Sequence, residues 1–392
     1  MLSLDYKRWR GLIEGHFATG ARAPKNVFRF VCHQFIGTWG VAIAATLAVS
    51  ISFGASNPVA PGIFNSGNTS WLRTNIQYFP AQMGIFASRY IPSLSGPTPL
   101  KSSSRESQSQ SGGEVALTFD DLPAHGPLPP GLSRVDIAKR IIGALKDAHA
   151  PPTYGFVNAK GVEQDPSAMQ VLRLWRDAGF PLGNHTFSHM DLNRNSAEAF
   201  EKDIVADEPI LQELMGQDDW HWFRFPYLNE GNTAKKHRAI LAFLTEHHYR
   251  VAEVSLDFGD DEYNEPYARC IAEDDKQGLE SLKQSYLIRA ADSLDKGQEM
   301  ARLAFGRDIR QIMLLHIGGF ETVMLPRLLE LLSQRHYQLI TLPEAESDPA
   351  YAMNPVLPSA WSVTFLQRML ASKHISAPPT DEPSSRLATI CR

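Results

Sequence analysis

The sequence contains only three cysteines, Cys32, Cys270 and Cys391, in 392 residues. Three widely spaced cysteines cannot form a disulfide framework, and none of them has the C-x-x-C spacing of a zinc knuckle. The sequence leaves open whether Cys270 and Cys391 pair with each other. Because the cysteines cannot supply a metal site, a metal in this protein has to be held by histidines and carboxylates. The chain contains 13 histidines, which is ample for such a site.

The chain also lacks a strong excess of charge of either sign. It carries 38 Lys and Arg residues against 43 Asp and Glu residues, a net charge of −5. This balance excludes the basic footprint of a nucleic-acid-binding protein. The hydrophobic content of 43% is that of a globular protein and excludes a disordered or collagen-like chain. The length would allow two or three domains, although an α/β barrel uses about 200–250 residues for one.

A long uncharged run occupies residues 35–55 and follows several lysines and arginines. About 20 apolar residues span the hydrocarbon core of a bilayer, and basic residues before such a run orient the N-terminus inward. We interpret residues 1–34 as a basic leader and residues 35–55 as a signal peptide or a membrane anchor, with a buried core helix as the alternative. Cleavage and retention both predict export to the periplasmic or extracellular face.

Residues 56–113 end in a stretch rich in Ser, Gly, Gln and Pro, which predicts a spacer with too few apolar residues to fold. From Glu114 onward, short β-rich runs alternate with helical stretches. The β-rich runs are Val115–Phe119, Tyr154–Val157, Trp222–Phe225, Tyr249–Val254, Ile312–His316 and Tyr337–Leu342. This alternation predicts an α/β fold with a parallel sheet covered by helices, and about seven such units favour closure into a barrel.

Local signals predict where several helices begin. Asp165 before Pro166 is typical of an N-cap followed by proline at the first helical position. Asn195 with Glu198 three residues later predicts a capping box. The stretch Lys276–Phe305 predicts a long amphipathic helix inserted between two strands. Residues 347–392 are predicted to form a C-terminal extension with a short helix followed by a loose tail.

Polar residues follow the predicted strands at their C-terminal ends, where α/β barrels place functional sites. Asp120 and Asp121 are adjacent at the end of the first strand, and neighbouring carboxylates repel each other unless a cation or a proton intervenes. A turn Asp followed by a capping Asp is the alternative. His185 and His189, four residues apart, would face the same side of a helical turn. Two histidines with one carboxylate are a recurrent set for a catalytic zinc.

Five short segments occur in the order of the five motifs of a known family. They are TFDD at 118–121, HTFSH at 185–189, RFPY at 224–227, SLDF at 255–258 and LLH at 314–316. The chain therefore resembles the polysaccharide deacetylases, the NodB-homology carbohydrate esterases, and we assign residues 114–346 to this catalytic domain. The resemblance implies a distorted (β/α) barrel with fewer than eight complete strands, in agreement with the alternation, which predicts about seven parallel strands. The helix predicted at Lys276–Phe305 would be an insertion before the last motif strand.

The resemblance also implies a role for the motif residues. Asp121, His185 and His189 would hold one divalent metal, with zinc as the expected ion. Asp120 would be the general base that takes a proton from the attacking water. Arg224 would hold Asp120 in place through a bidentate, charge-assisted pair.

Three further motif residues complete the implied site. Tyr227 would supply a backbone N–H to the oxyanion. His316 would be the general acid that protonates the leaving amine, and Asp257 would orient His316 and sustain its charge. Taken one at a time, Arg224 fits an ordinary ion pair, His316 a core histidine and Asp257 a loop cap. Their occurrence together with the metal set favours the functional roles.

Two positions depart from the family pattern. Leu122 and Pro123 follow the second Asp, where the family usually has Gly. The same loop carries His125, a candidate substrate contact or additional ligand, with an ordinary loop histidine as the alternative. Phe258 stands where the family usually has Trp, and it would keep an aromatic wall for the substrate. Neither departure removes a catalytic group, but both leave the substrate preference open.

These patterns predict an exported, metal-dependent hydrolase that removes N-acetyl groups from N-acetylated sugars. The expected partner is a glycan such as peptidoglycan, a chitin-like polymer or an exopolysaccharide. No nucleic-acid partner is expected, and membrane association would depend on an uncleaved segment 35–55. Two alternatives remain open: a same-fold amidohydrolase acting on a small cyclic amide or ureide, and a non-catalytic glycan-binding domain. The oligomeric state cannot be inferred from the sequence.

Overall fold

The structure, a computed structural model, describes residues 112–360, 362–379 and 387–392. The predicted leader 1–34, the apolar segment 35–55 and all of the spacer 56–113 except its last two residues lie outside this part of the chain. The described part contains no helix with the length and apolarity that a bilayer crossing requires. The division of the N-terminal region therefore stays a prediction.

Within the described residues, seven parallel strands form one sheet. In chain order they are β1 (Glu114–Leu122), β2 (Tyr154–Val157), β3 (Leu182–Asn184), β4 (Trp222–Phe223), β5 (Arg250–Val251), β6 (Gln311–His316) and β7 (Gln338–Leu339). Their order across the sheet is β5-β4-β3-β2-β1-β6, and β7 pairs with the start of β1. The six β-rich runs are confirmed in position. The sequence pattern does not predict β3, because three residues are too few to display a strand periodicity.

The sheet curls because the segment after β5 reaches β6. A parallel bridge joins Leu256 to Met313, and the backbone N–H of Leu314 donates to the Leu256 carbonyl at 3.0 Å. Since β6 also pairs with β1, the bridge connects the two edges of the sheet. The result is the distorted (β/α) barrel that the strand–helix alternation predicts.

Helices connect the parallel strands, and in the described part of the chain two more follow β7. They are α1 (Arg134–Asp147), α2 (Lys160–Gln164), α3 (Met169–Asp177), α4 (Ala197–Met215), α5 (Ala234–Glu246), α6 (Asn264–Ala272), α7 (Lys276–Phe305), α8 (Glu321–Gln334), α9 (Leu342–Glu346) and α10 (Phe365–Ser372). Asp165 caps a short 3₁₀ turn before α3 as predicted, by accepting from the backbone N–H of Ser167 at 3.0 Å. The capping box predicted at Asn195 is wrong by one residue, because Ser196 accepts from Ala199 and α4 begins directly after it.

Alternate residues of the strands face two different apolar cores. Val115, Leu117 and Phe119 of β1 pack in the core that the sheet shares with α1 and α8. Ala116, between them, lies in a second core together with residues of α10. Asp120 lies on the same face of β1 as Ala116, because side chains two residues apart point to the same side of a strand. The face of β1 that contributes to the second core therefore ends in a carboxyl group at the functional site.

The C-terminal extension is packed more firmly than the sequence suggests. Four apolar residues of α10 are buried: Phe365, Leu366, Met369 and Leu370. In the last described residues, Cys391 forms a disulfide with Cys270 of α6, 121 residues earlier in the chain. The prediction of a loose tail is therefore wrong for residues 387–392, because a covalent link holds them against the domain.

A cluster of buried charges joins α10 to the barrel. Arg368 of α10 pairs with Glu230 and Glu253, which lie in the loops after β4 and β5. The backbone N–H of Glu253 donates to the Glu346 carboxyl at 2.7 Å. Burial raises the pKa of Glu346 to about 8. Burial also raises the pKa of Glu230, and the neighbouring Arg368 guanidinium opposes that rise.

We expect Glu346 to contribute a fall in the free energy of unfolding as the pH rises from about 5 to about 8. In this window the folded protein keeps a proton on Glu346, whose pKa is about 8, while a glutamate in the unfolded chain ionises near pH 4.3, approximately its reference value. At this side chain the folded state therefore binds more protons, and raising the pH favours unfolding. Chemical denaturation of the wild type and of Glu346→Gln at several pH values measures this contribution as the difference between the two slopes. The free energy of unfolding should fall more steeply, or rise less steeply, with pH in the wild type, and identical slopes would contradict the assignment.

Candidate functional site

A pocket of about 660 Å³ opens at the C-terminal ends of the strands. Asp120 and Asp121 reach the pocket from the last residues of β1, and His185 directly follows β3. His316 is the last residue of β6. Because the strands are parallel, residues that are far apart in the sequence arrive at the same rim of the barrel.

Asp121, His185 and His189 meet in this pocket, with ligand atoms within 4.8 Å of one another. The Oδ1 atom of Asp121 lies 3.6 Å from His185 Nε2 and 3.3 Å from His189 Nε2. The prediction that the two histidines share a helical turn is wrong, because residues 185–189 are not helical. Thr186 and His189 instead have positive φ angles of 61° and 55°, and this tight turn directs both imidazoles towards Asp121.

The chemistry of these three side chains fits a divalent metal. His185 Nδ1 donates to the Arg224 carbonyl at 2.8 Å, so the lone pair of the neutral ring is on Nε2, the atom that faces Asp121. Burial lowers the pKa of His185 and of His189 to about 4, so both rings are neutral at pH 7. Asp121 Oδ1 is buried and has no hydrogen-bond partner within the described residues. Two neutral imidazoles and an unsatisfied carboxylate oxygen are the donor set that zinc takes.

Asp120 is buried beside this set and pairs with Arg224. Arg224 Nη1 lies 3.1 Å from Asp120 Oδ1 and 3.3 Å from Oδ2. The predicted bidentate pair is therefore made by a single nitrogen, because Nε donates to the Ala252 carbonyl and Nη2 donates to the Thr118 hydroxyl. Burial raises the pKa of Asp120, and the Arg224 guanidinium opposes that rise. Arg224 thus holds the carboxylate with a side chain that is fixed at all three nitrogens.

The carboxylate that orients His316 is Asp260, and the assignment of this contact to Asp257 is wrong. His316 Nδ1 donates to Asp260 Oδ1 at 2.9 Å, and the His316 backbone N–H donates to Oδ2 at 2.7 Å. Asp257 instead accepts from the Gly259 backbone N–H at 2.8 Å. A 3₁₀ turn at Asp260–Tyr263 follows, and it is this turn that brings the Asp260 carboxylate to His316. Burial alone would lower the pKa of His316, but Asp260 raises it well above the ordinary value.

Asp260→Asn is expected to lower the pKa of His316, because it removes the charge that stabilises the imidazolium. Asp257→Asn is the matched control and should shift this pKa less, since Asp257 makes its hydrogen bond to Gly259. A titration of the His316 ring followed by NMR measures both variants. A larger shift in Asp257→Asn than in Asp260→Asn would return the orienting role to Asp257.

The three residues predicted to contact substrate all line the pocket. His125 Nδ1 donates to Asp121 Oδ2 at 2.6 Å, and its ring centroid lies 4.8 Å from that of His316. Tyr227 is 53% exposed, and its ring lies 4.4 Å from that of His189. Phe258 is mostly buried and packs edge-on against Tyr286 of α7 at 5.0 Å. His125 thus contacts the metal-ligand set and the candidate acid at once.

Two parts of the pocket wall come from elements outside the five motifs. One face of α7 contributes Ile288, Arg289, Asp292, Ser293 and Lys296, and the C-terminal extension contributes Ser362, Thr364 and Gln367. The spacing of the polar residues on α7 indicates a shared helix face. Nothing in the local sequence indicates that this face, or the start of α10, borders the site, because both placements depend on tertiary packing.

Comparison with known proteins finds a match that covers the first three motifs. Residues 107–245 match the sequence model of a family described as polysaccharide deacetylase. A peptidoglycan-N-acetylglucosamine deacetylase of Bacillus cereus is 27% identical over 144 residues, which are 37% of this chain and 45% of that protein. A chitin deacetylase of Arthroderma benhamiae is 26% identical over 170 residues, 43% of this chain and 41% of that protein. The chain thus spans less than half the length of either relative.

A solved structure is similar over a larger part of the chain. The chitin deacetylase from the fungal pathogen Colletotrichum lindemuthianum is 21% identical and covers 64% of this chain and 94% of its own. The TM-score is 0.42. The resemblance inferred from the five motifs is confirmed by the family match over residues 107–245.

Proposed function

We propose that the protein is a metal-dependent hydrolase that removes N-acetyl groups from the sugars of a glycan, because residues 107–245 match the sequence model of the polysaccharide deacetylase family. The observation that carries the proposal is the meeting of three chemical groups in one pocket: the metal-ligand set, the carboxylate of Asp120 and the imidazole of His316. Amide hydrolysis needs an activated water, a base for its proton and an acid for the leaving amine.

Asp121, His185 and His189 are the proposed metal ligands, and zinc is the proposed ion. A divalent metal held there would lower the pKa of a water molecule and polarise the acetamide carbonyl. His125 supports this set by donating to Asp121 Oδ2, the oxygen that the two histidines do not face. A hydrogen bond of this kind fixes the orientation of a ligand carboxylate, so we propose a positioning role for His125.

Asp120 is the proposed general base. Its Oδ2 atom lies 3.6 Å from His185 Nε2, so its carboxylate borders the proposed metal-ligand set. Arg224 contacts both oxygens of Asp120 and keeps the carboxylate in one orientation. A carboxylate fixed in this way can take the proton of an attacking water without first reorganising.

His316 is the proposed general acid, with Asp260 as the residue that positions it. The Asp260 carboxylate holds Nδ1, which leaves Nε2 as the nitrogen able to give a proton to the leaving amine. Tyr227 is the proposed source of a backbone N–H for the oxyanion, and it lies at the pocket in a left-handed conformation with a φ angle of 58°. Phe258 provides an aromatic surface beneath the substrate.

Export is part of the proposal. The disulfide between Cys270 and Cys391 supports it, because such bonds persist in oxidising compartments outside the cytosol. The segment 35–55 would then act as a signal peptide or as an anchor that keeps the enzyme at the membrane. The substrate class proposed is a peptidoglycan, a chitin-like polymer or an exopolysaccharide, and the names of the relatives support the first two.

The test is acetate release by the full chain from a panel of N-acetylated glycans, compared with hydrolysis of small cyclic amides and ureides. We expect turnover of at least one glycan and none of the small amides. Turnover of the small amides alone would favour the same-fold amidohydrolase. Binding of glycans with no hydrolysis of any substrate would favour the non-catalytic glycan-binding domain.

A further inference from the structure

The pocket is bounded by α7 on one of its walls. Arg289, Asp292 and Lys296 recur at helical spacing and line the pocket together with the exposed Ile288. This helix lies outside the family match at residues 107–245. The pocket wall that α7 forms therefore lies outside the matched region.

The C-terminal extension forms another wall, just before and within the first turn of α10. Ser362, Thr364 and Gln367 line the pocket. The wall is firmly attached, because the Phe365 backbone N–H donates to the Val254 carbonyl at 2.7 Å. One turn further along α10, buried Arg368 pairs with two carboxylates of the barrel loops, as described above. These contacts place the start of α10 next to the Ser255–Phe258 segment that also lines the pocket.

Gln367 is the residue of this wall best suited to bind a ligand. Its Oε1 atom accepts from the Thr364 backbone N–H at 2.8 Å, as part of a capping box that begins α10. The cap fixes the carboxamide and leaves Nε2 as a donor for a molecule in the pocket. A donor that is already held in place loses little conformational entropy on binding.

The charges of the pocket indicate what kind of molecule it accepts. Apart from histidines, the cations among the described lining residues are Arg289 and Lys296. Arg289 pairs with Glu262 at 3.1 Å, and Lys296 pairs with Asp292 at 2.5 Å. Because both side chains are paired, the described walls offer an anionic substrate no unpaired cation from lysine or arginine. The lining also contains the carboxyl groups of Asp257 and Asp261.

We propose that α7 and the start of α10 form the two walls of a glycan-binding cleft, that Gln367 Nε2 donates to a sugar oxygen there, and that the cleft selects an uncharged N-acetylated glycan over a carboxylated one. This inference rests on the proposed function and deepens it by naming the substrate class and a specificity residue. The two walls of the cleft, α7 and α10, are separated by about 60 residues in the sequence, and tertiary packing brings them together.

The first experiment replaces Gln367 by Glu, which keeps the acceptor of the capping box and removes the Nε2 donor. Gln277→Glu is the matched control, because Gln277 is exposed in the first turn of α7 and is not among the pocket residues. Calorimetric binding of chitohexaose to the full chain should weaken about three- to tenfold in Gln367→Glu, the amount that one lost hydrogen bond predicts. It should be unchanged in the control, and thermal melting should show both variants folded.

The second experiment compares chitohexaose with a hyaluronan hexasaccharide, which has the same length but carries carboxylates on alternate sugars. We expect the carboxylated oligosaccharide to bind at least about tenfold more weakly. Asp292→Asn releases Lys296 from its partner and should improve hyaluronan binding, so that the difference in affinity between the two oligosaccharides becomes smaller. Equal affinity of the wild-type chain for both oligosaccharides would overturn the charge selection.

The binding readout separates this inference from the proposed function. If Gln367→Glu binds chitohexaose as tightly as the wild type and the Gln277→Glu control, the cleft assignment is overturned even when acetate is released. If the wild-type chain binds chitohexaose in a Gln367-dependent way but never releases acetate, the deacetylase proposal fails and the cleft stands. In an active enzyme, Gln367→Glu should raise KM and leave kcat within about twofold, as expected for a residue that holds the substrate away from the reacting bond.

Discussion

Asp120→Asn should abolish acetate release while leaving metal binding intact. The substitution keeps the size of the side chain but removes the carboxylate that is proposed to take the proton of the attacking water. General-base catalysis contributes about 10²- to 10⁴-fold, so the rate should fall by at least a factor of about 10². Arg224 is fixed by the Ala252 carbonyl and the Thr118 hydroxyl independently of Asp120, so the fold around the site should persist.

Acetate release and bound metal are measured on the same preparations of Asp120→Asn and wild type. Asp218→Asn is a suitable control, because Asp218 is an exposed residue whose salt bridge to Arg176 lies outside the pocket. If Asp120→Asn retained full activity on every substrate, the assignment of the base would be wrong. If it lost its metal as well, Asp120 would belong to the ligand set.

His189→Ala is expected to remove both the metal and the activity. His189 supplies one of the three donor atoms that meet within 4.8 Å, and its burial keeps the imidazole neutral, with a pKa of about 4, so that it is available for coordination at pH 7. Loss of an outer-shell partner of a metal ligand costs about 10- to 100-fold, so loss of a ligand should cost more than about 100-fold. Activity of the wild type should likewise disappear with a chelator and return with added zinc.

Elemental analysis and acetate release check this prediction together. His221→Ala is the control, because His221 is a partly exposed histidine that contacts Asp219 and does not line the pocket. A His189→Ala protein with one bound metal per chain and wild-type activity would rule out His189 as a ligand. Wild-type activity that survives complete chelation would remove the metal from the mechanism.

At the functional site, the sequence predicts which histidines come together but not the backbone conformation that brings them together. The pairing of His185 with His189 follows from their spacing in the HTFSH motif, but the helical turn that the spacing suggests is wrong. Positive φ angles at Thr186 and His189 produce the same convergence by a different backbone path. The identity of the residues was predictable because the motif is contiguous, whereas their conformation depends on contacts such as the Asn158 side-chain bonds to the His185 and Thr186 carbonyls.

The carboxylate that binds His316 is a residue that the sequence did not identify. Asp257, Asp260 and Asp261 are within five residues of one another, and the motif resemblance points to Asp257 alone. The choice of Asp260 is made by the 3₁₀ turn that begins there and by the position of β6 beside the segment after β5. Such a choice depends on a few ångströms of tertiary geometry, and a linear pattern does not contain that information.

The sequence by itself determined the strand–helix alternation, the ordered motifs and the side chains that reach the C-terminal rim of the barrel. It could do so because parallel strands bring their carboxyl ends to one edge whatever the details of packing. Only the tertiary structure decided that Asp260 holds His316, that Cys391 joins Cys270, and that α7 and α10 wall the pocket. These contacts join segments far apart in the chain, and their partners are selected by long-range packing that no local pattern expresses.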